Sequence, residues 1–398
     1  MSNARNLARL IVDSGGDVDV SSLGNVPPSN DASALTTGTL PVGRVPYLTN
    51  RNRIINGDMR IDQRNAGASV TLGTSSSAYG ADRFMVEQGG VTANTGTVQQ
   101  VSDAPTGFKK SIKYTGGSAT YNSQGFAAIN QRIEGLNLAD SDYGTASAKQ
   151  FTLSFWVKAS VTGTYSINFT HYDGSNERWL LQTYIVDSAN TWEKKTITIN
   201  GDTAYSIPAD NGATGWMRVY WALGGDSNSM QGTVTGNWVA GSGSNRAVSG
   251  QVNVATTSGA TFYITGVQLE AGSVATPFEH RDFGSELLRC KRYYEKSFSY
   301  DVAPQNGTSD FHTYYGVWYV RGSENNQYRS SYRWDVEKRA SPSIQPYGNS
   351  SGYWYSPNTG WHVYNSVVHA STVGFLPRQQ AAGANIEVRG HMAVIAEL

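Results

Sequence analysis

Between residues 51 and 286 the apolar side chains recur at every second position, and a turn signal separates each such run from the next. Phe151, Leu153, Phe155 and Val157 alternate with Thr152, Ser154, Trp156 and Lys158, the pattern of a strand that buries one face. Ile197 and Ile199 repeat that period within residues 192–200. Residues 215–223 carry large side chains on both faces (Trp216 and Tyr220; Met217, Val219 and Trp221), as a central strand would, and residues 261–269 are again strongly β. Asp173-Gly174, Asn200-Gly201, Asn211-Gly212 and Gly224-Gly225-Asp226 supply the turns. No helical period intervenes. A chain of this kind must stack sheet on sheet, so a jelly roll or β-sandwich is expected over residues 51–284.

Composition agrees with that expectation and removes several functions. Lys plus Arg and Asp plus Glu both number 31, so the net charge is zero and no electrostatic footprint for nucleic acid or an anionic membrane is present. Charged residues are 16% of the chain, below the roughly 25% usual in soluble domains. The 43 glycines, 23 tyrosines and 10 tryptophans fit short strands joined by tight turns. Cys290 is the one cysteine, which excludes an internal disulfide and a cysteine zinc cluster; a small core residue is expected there. No apolar run approaches the ~18 residues of a membrane span, so no membrane insertion is expected. Two arginines interrupt the short apolar stretch at residues 1–12, unlike a signal peptide, so a role outside the cell implies release by lysis or inside a particle.

The first fifty residues read differently. Leu7, Leu10 and Ile11 form one apolar stripe on a short helix that needs a partner, since about ten residues are marginal alone in water. These three are the candidate docking residues. Leu35, Leu40, Val42 and Val45 are too sparse for a core within one chain and suit either an intertwined extended stalk or a disordered linker. Beyond the central region, residues 286–296 are expected to form a short helix, with Leu287, Cys290 and Tyr294 near one face. Residues 285–398 then form a small C-terminal β-sandwich. Its closing strand has Ile386, Val388, Met392, Val394, Ala396 and Leu398 on one face and Glu387, Arg389, His391 and Glu397 on the other, so its end is expected to be pinned into a sheet. The fold class is therefore all-β, with a helix and stalk at residues 1–50.

Catalytic patterns are missing. There is no Gly-x-Ser-x-Gly elbow, Walker loop, His-Glu-x-x-His helix or EF-hand loop, and the scattered carboxylates give no acid pair for glycan cleavage. Asp58 and Asp62 would share one face of a strand, a spacing that fits turn or hydrogen-bonding roles. His362 and His369 are seven apart in a β-rich stretch, on opposite faces, and read as surface polar residues. No cofactor is expected, although a jelly roll is compatible with a structural Ca²⁺ held by backbone and carboxylate oxygens.

Several stretches, in order, resemble the landmarks of a module common in phage and prophage tail fibres. Asn52-Arg-Ile-Ile-Asn-Gly-Asp-Met-Arg60 with Asp62-Gln63-Arg64 is similar to its opening strand. Ala81-Asp82-Arg83-Phe84, Ile129-Asn-Gln-Arg-Ile-Glu134, Thr152-Leu-Ser-Phe-Trp-Val-Lys158 and Thr191-Trp-Glu-Lys-Lys195 continue the series. Ile264-Thr-Gly-Val-Gln-Leu-Glu-Ala-Gly-Ser-Val-Ala-Thr-Pro-Phe-Glu279, Phe283-Gly-Ser-Glu-Leu287 and Cys290-Lys-Arg-Tyr-Tyr294 complete it. The resemblance implies a carbohydrate-binding-module-like jelly roll on a virion fibre, commonly trimeric. Residues 31–45 are similar to the Thr-Gly-Thr-Leu-Pro linkers of such fibres, and residues 285–398 to the small tip domains that follow the module, with Lys338-Arg-Ala-Ser-Pro-Ser-Ile344 as their local sign. Glu134 and Glu279 fall inside the landmarks, where acidic residues at strand ends more often bond backbone or an arginine.

Glycan binding without catalysis asks for aromatic rings against the apolar face of a pyranose and polar groups at its hydroxyl rim. The last hundred residues are rich in both. Tyr328, Tyr332 and Trp334 interleave with Arg329 and Arg333, and Tyr353, Trp354, Tyr355 and Trp361 flank a Ser356-Pro-Asn-Thr-Gly360 turn. Trp318 and Trp334 read as core, whereas Trp354, Tyr355 and Trp361 stand evenly between packing and recognition. The candidate glycan-binding residues are Tyr353, Trp354, Tyr355, Trp361, Tyr328 and Arg329. The expected protein is a receptor-binding phage tail-fibre subunit, not an enzyme: assembled in the host cytoplasm, carried on the virion as a homotrimer, docked to a tail or baseplate protein, and adsorbing to host surface polysaccharide. Repetition around a trimer raises avidity by on the order of 10²–10⁴. The rival readings are a collar or adaptor fibre without a ligand and a glycan depolymerase.

Overall fold

The structure is a computed structural model that describes residues 50–93, 95–307, 328–329, 332–348, 354–356, 360–362, 366–379 and 391–398. Leu7, Leu10, Ile11, Trp318 and Tyr353 lie outside these residues, as do the expected helix and stalk. Thirteen strands come first in the described chain: β1 (Val70–Thr71), β2 (Ser77–Ala81), β3 (Phe84–Ala93), β4 (Thr97–Val101), β5 (Ser111–Thr115), β6 (Thr120–Glu134) and β7 (Phe151–Ala159), then β8 (Gly163–Asp173), β9 (Glu177–Val186), β10 (Glu193–Ile199), β11 (Gly215–Gly225), β12 (Val239–Ala240) and β13 (Thr261–Ala271).

They build two antiparallel sheets, one in the order β1-β4-β5-β13-β7-β10 and the other β12-β9-β8-β11-β6-β3-β2. From β5 to β13 the chain passes repeatedly between the sheets, the habit of a jelly roll. Alternation decides which side chains meet in the middle. Phe155 on β7 stands edge-on to Trp221 on β11 at 5.7 Å and to Tyr184 on β9 at 5.1 Å, so one ring spans the gap between the sheets. Met217, Val219 and Trp221 face this core, as do Phe151, Leu153 and Val157. The Asp173-Gly174 turn joins β8 to β9 because the Asp173 carboxylate accepts from the Ser175 and Asn176 amides and Gly174 takes φ +93°.

The segment at residues 52–60, expected as an opening strand, is not one. Its Asn and Asp side chains bond nearby backbone instead of leaving it free for a ladder: Asn52 Oδ1 accepts from Ile54 N, Asn56 Oδ1 from Ile61 N, and Asp62 from the Asn65 and Gly67 amides. Gly57 runs so close to the Val267 carbonyl that a Cβ there would stand 2.2 Å away. Asp62 therefore serves a turn and Asp58 pairs with Arg60, and the two share no strand face.

Helix α1 (Phe283–Lys291) starts three residues earlier than expected because Asp282 caps it, accepting from Ser285 N at 2.8 Å. Cys290 on this helix is buried beside Ile55, Ile61 and Tyr293. Nine short strands follow: β14 (Tyr294–Lys296), β15 (Tyr328–Arg329), β16 (Tyr332–Arg333), β17 (Ser343–Tyr347), β18 (Trp354–Ser356), β19 (Gly360–His362), β20 (Ser366–Ser371), β21 (Gly374–Gln379) and β22 (His391–Ile395). β22 lies between β14 and β17, and a second core gathers Trp334 stacked on Phe375 at 5.2 Å with Met392 and Val394. Trp334 is core, as its sequence context implied. Met392, Val394 and Ala396 are buried, yet so are His391 and Ala393, because this strand is covered on both faces. Residues Asn50–Leu398 form one compact unit.

Candidate functional site

Two clusters of arginine, tyrosine and carboxylate stand out, and only one of them is open. The closed one brings Arg64, Asp82, Arg83, Glu134 and Arg292 together with Glu397 from distant parts of the chain. Glu397, its side chain 11% exposed, accepts from Arg64 Nη2 at 2.8 Å and from Arg83 Nη1. Arg83 lies 3.5 Å over the Tyr293 ring and donates to the Arg132 carbonyl. Arg64 sits between the rings of Tyr79 and Tyr294 and donates to Asp82. Glu134 takes both arms of Arg292 at 2.8 Å and the Tyr293 hydroxyl. Arg339 closes the cluster on the carbonyls of Ala396, Glu397 and Asn211.

Burial works to raise the Glu397 carboxyl, and Arg83 with Arg64 overcome it, leaving its pKa below the ordinary value. Asp82 has less help: burial pushes it up to about 6 against the pull of Arg64. Glu279 likewise does structural work, accepting from the Asn50 and Asn52 amides, while Glu270 accepts from Thr276 and so folds back the loop after β13. These groups hold the central sandwich to α1 and β22. They are too enclosed to meet a polymer.

The partly open cluster lies on the outer face of the seven-stranded sheet, where Trp216, Tyr172, Arg132 and Arg246 are half-buried while Arg218, Tyr220, Asn130, Asn168 and Trp179 are buried. Direct pairing sets Trp216 beside Tyr172 and Glu134, Arg218 beside Thr170 and Arg132, and Tyr220 beside Asn168 and Asn130; on β9, Trp179 pairs with Thr170. Trp216 and Tyr172 stack at 5.5 Å and are both half-buried. Arg132 lies 5.0 Å over the Trp216 ring. Arg218 is held between Glu87 at 3.7 Å and Glu177 at 3.4 Å, whose side chains are 28% and 40% exposed. Burial pulls the Arg218 guanidinium below its ordinary pKa, with Glu87 opposing. The segment at residues 226–250 covers one end of the face: Asn245 O accepts from Asn168 Nδ2, Val248 N donates to Ser166, and Met230 and Ala247 pack on Tyr220 and Ala222. Burial there pushes Tyr220 up to about 12, although Arg246 beside it pulls the other way. The Trp216 end stays open.

Some buried polar atoms on this face have no partner, as do others elsewhere in the sandwich, Arg53 and Arg83 Nε among them. Those on the face include Nε of Arg132, Arg218 and Arg246 and the Trp179 indole nitrogen. Such groups cost free energy in the absence of an acceptor. The outer face of the other sheet also has rings, Trp156, Trp192 and Tyr263, but there Asp103 accepts from both Lys158 and the Trp192 indole. Its polar atoms are matched. Among the described residues no three His, Cys, Asp or Glu side chains come together as metal ligands, and no helix is long and apolar enough to cross a membrane.

The residues chosen from sequence lie elsewhere. Trp354 and Tyr355 are on β18, paired in register with His362 and Trp361 on β19, while residues 357–359 of the expected turn lie outside the described ones. Tyr328 and Arg329 pair with Gln379 and Arg378. The side chains of these residues, and those of His362 and His369, lie outside the described ones. The outer-face site was overlooked because its residues come from β6, β8, β9 and β11. The signal was present as Trp216-x-Arg218-x-Tyr220, a polar and aromatic stripe on a strand apolar on its other side. It becomes a site only when strand order sets it beside Asn130, Arg132, Asn168 and Tyr172.

No protein-family model matches the chain, and no curated protein matches it. Among solved structures it is similar to a putative sugar binding protein from Bacteroides thetaiotaomicron, 13% identical, with a TM-score of 0.31 over 56% of this chain and 100% of that one. It is also similar to the family 11 carbohydrate-binding module of the cellulosomal cellulase Lic26A-Cel5E of Clostridium thermocellum, 14% identical, TM-score 0.26, covering 54% and 99%. A third similarity is to the enzymatically active domain of tailspike protein 4 of bacteriophage CBA120, 14% identical, TM-score 0.30, covering 56% of this chain and 22% of that one. This chain thus spans less than a quarter of the tailspike domain. Likeness at this level does not bear on ligand or activity.

Proposed function

We propose that this chain is the receptor-binding subunit of a phage tail fibre, attached to the virion through its N-terminal residues and adsorbing to host surface glycan through its β-domains. The observation that carries the binding role is the open Trp216 end of the outer face: half-buried Trp216 and Tyr172 stack there, with Arg132 over the Trp216 ring and Glu87 and Glu177 on either side of Arg218. A pyranose laid on such rings gains contact with its apolar face while its hydroxyls reach the charged rim. The ordered landmarks at residues 52–294 support the virion assignment, and a homotrimer would multiply a weak site. The β18–β19 hairpin remains a second binding candidate. The full chain should bind at least one surface polysaccharide in a panel, and Trp216→Ala should weaken that binding about tenfold or more with the fold intact. Failure to bind any member would favour the ligand-free collar reading; binding untouched by Trp216→Ala but lost in Trp361→Ala would move the site to the hairpin.

A depolymerase has one observation in its favour: Glu87 and Glu177 stand on either side of Arg218, near the rings. Both carboxylates are engaged by that guanidinium, which suits holding more than proton transfer. A reducing-end assay on bound polysaccharide should show no release; release abolished by Glu177→Gln would establish the enzyme instead.

A further inference from the structure

Taking the outer face as the glycan site, we propose that its ligand is an acidic polysaccharide, with carboxylate or sulfate groups received by Arg132 and Arg246. The argument is one of charge pairing. Three guanidinium groups occupy the face, Arg132, Arg218 and Arg246, against two free-standing carboxylates, Glu87 and Glu177. Both carboxylates belong to Arg218. Glu134, at the edge, is consumed by Arg292 and Tyr293.

Arg132 and Arg246 are left with rings. Arg132 has the Trp216 face at 5.0 Å; Arg246 has Phe126 at 3.8 Å, Trp179 at 5.6 Å and the Tyr220 hydroxyl beside it. Among the described residues neither has a carboxylate within 4.0 Å. Elsewhere in the sandwich the rule is the opposite: Arg53, Arg60, Arg64, Arg83 and Arg178 all meet an Asp or Glu.

Position strengthens the case. Arg132 pairs in register with Arg218 and leans over Trp216, whereas Arg246 lies by Phe126 and Tyr220 further along the row; both are half-buried, so each keeps some contact with solvent. A sugar chain crossing that row would place C–H faces on Trp216 and Tyr172 and acidic groups at Arg132 and Arg246. Guanidinium is suited to carboxylate and sulfate oxygens because its planar fork donates two parallel hydrogen bonds. A neutral glycan would desolvate these cations without giving them a counter-charge.

The test uses the full chain in affinity electrophoresis against polygalacturonate, alginate, hyaluronate, dextran sulfate, dextran and galactan, at low and high NaCl. The expected result is retention by a uronate or sulfated polymer, weakened by salt. Carboxyl reduction of a bound uronate polymer should lower affinity about tenfold, as should Arg132→Gln or Arg246→Gln, with unchanged melting temperatures. Uronate against sulfate arms distinguish the two anions. Retention by neutral polymers alone, or acidic binding indifferent to both arginine variants, overturns the proposal while leaving glycan binding standing. No retention by any polymer overturns the glycan reading as well.

Discussion

The closed junction around Glu397 and the open face around Trp216 are assembled from the same side chains, and they differ in whether the charges are matched. At the junction every guanidinium has an acceptor: Arg64 and Arg83 share Glu397, Arg292 takes Glu134, and Arg339 reaches three carbonyls. Tyrosine rings cover the remaining guanidinium faces. On the outer face the rings are present and the anions are too few. A matched, enclosed cluster contributes position; one whose half-exposed Arg132 and Arg246 have no carboxylate has bonding capacity left for something outside the chain. Arginine content alone would not have told them apart.

That contrast breaks most visibly at Arg83. Arg83→Ala leaves Glu397 short of a partner in a buried setting and should cost about 3–5 kcal/mol, read by urea unfolding. If Arg83→Met combined with Glu397→Leu recovers most of that loss, the junction is a matter of charge matching and not of shape. Asp82 comes next. Its folded pKa of about 6 exceeds the ordinary 3.8, so the folded state holds this proton more tightly, and its contribution to stability is complete below about pH 4 and lost as pH rises through 6. The difference in unfolding free energy between the parent and Asp82→Asn should therefore change by on the order of 3 kcal/mol from pH 4 to pH 7. Glu397 acts in the other direction, its contribution being lost as pH falls below the ordinary carboxylate range. On the open face the effects move from stability to binding. Trp216→Ala should weaken polysaccharide binding by about 1.4 kcal/mol or more, measured by affinity electrophoresis. Arg132→Ala should change unfolding by no more than about 0.5 kcal/mol, and a loss as large as that of Arg83→Ala would erase the distinction.

Much of the sandwich was legible because alternation and burial coincide. Phe151, Leu153, Phe155 and Val157 face the core as their spacing requires, and the Asp173-Gly174 and Gly224-Gly225 signals fall at the ends of β8 and β11. Legibility ended where polar side chains bond over long sequence distances. Alternation puts Glu397 on the polar face of the closing strand but names no partner for it; its arginines lie 314 and 333 residues upstream. Asn52, Asn56 and Asp62 broke an expected strand because their side chains compete for the same backbone a ladder would use. The aromatic hairpin drew attention because its rings are consecutive in the sequence. Trp216, Tyr172 and Arg132 escaped it because they are neighbours only across strands, and no periodicity within one strand reports its neighbour.

The reach of these bonds has a kinetic side. Asn52 to Glu279, Glu134 to Arg292 and Arg83 to Glu397 close loops of 227, 158 and 314 residues. None can form until distant parts of the chain are already arranged, so their ordering cost comes early and their reward late. The chain should therefore refold slowly from denaturant. Where the same contacts form only after the barrier, it should also be slow to come apart, since such bonds resist unfolding without having hastened folding. Persistence of the folded chain then depends on the height of that barrier as much as on the depth of the native well.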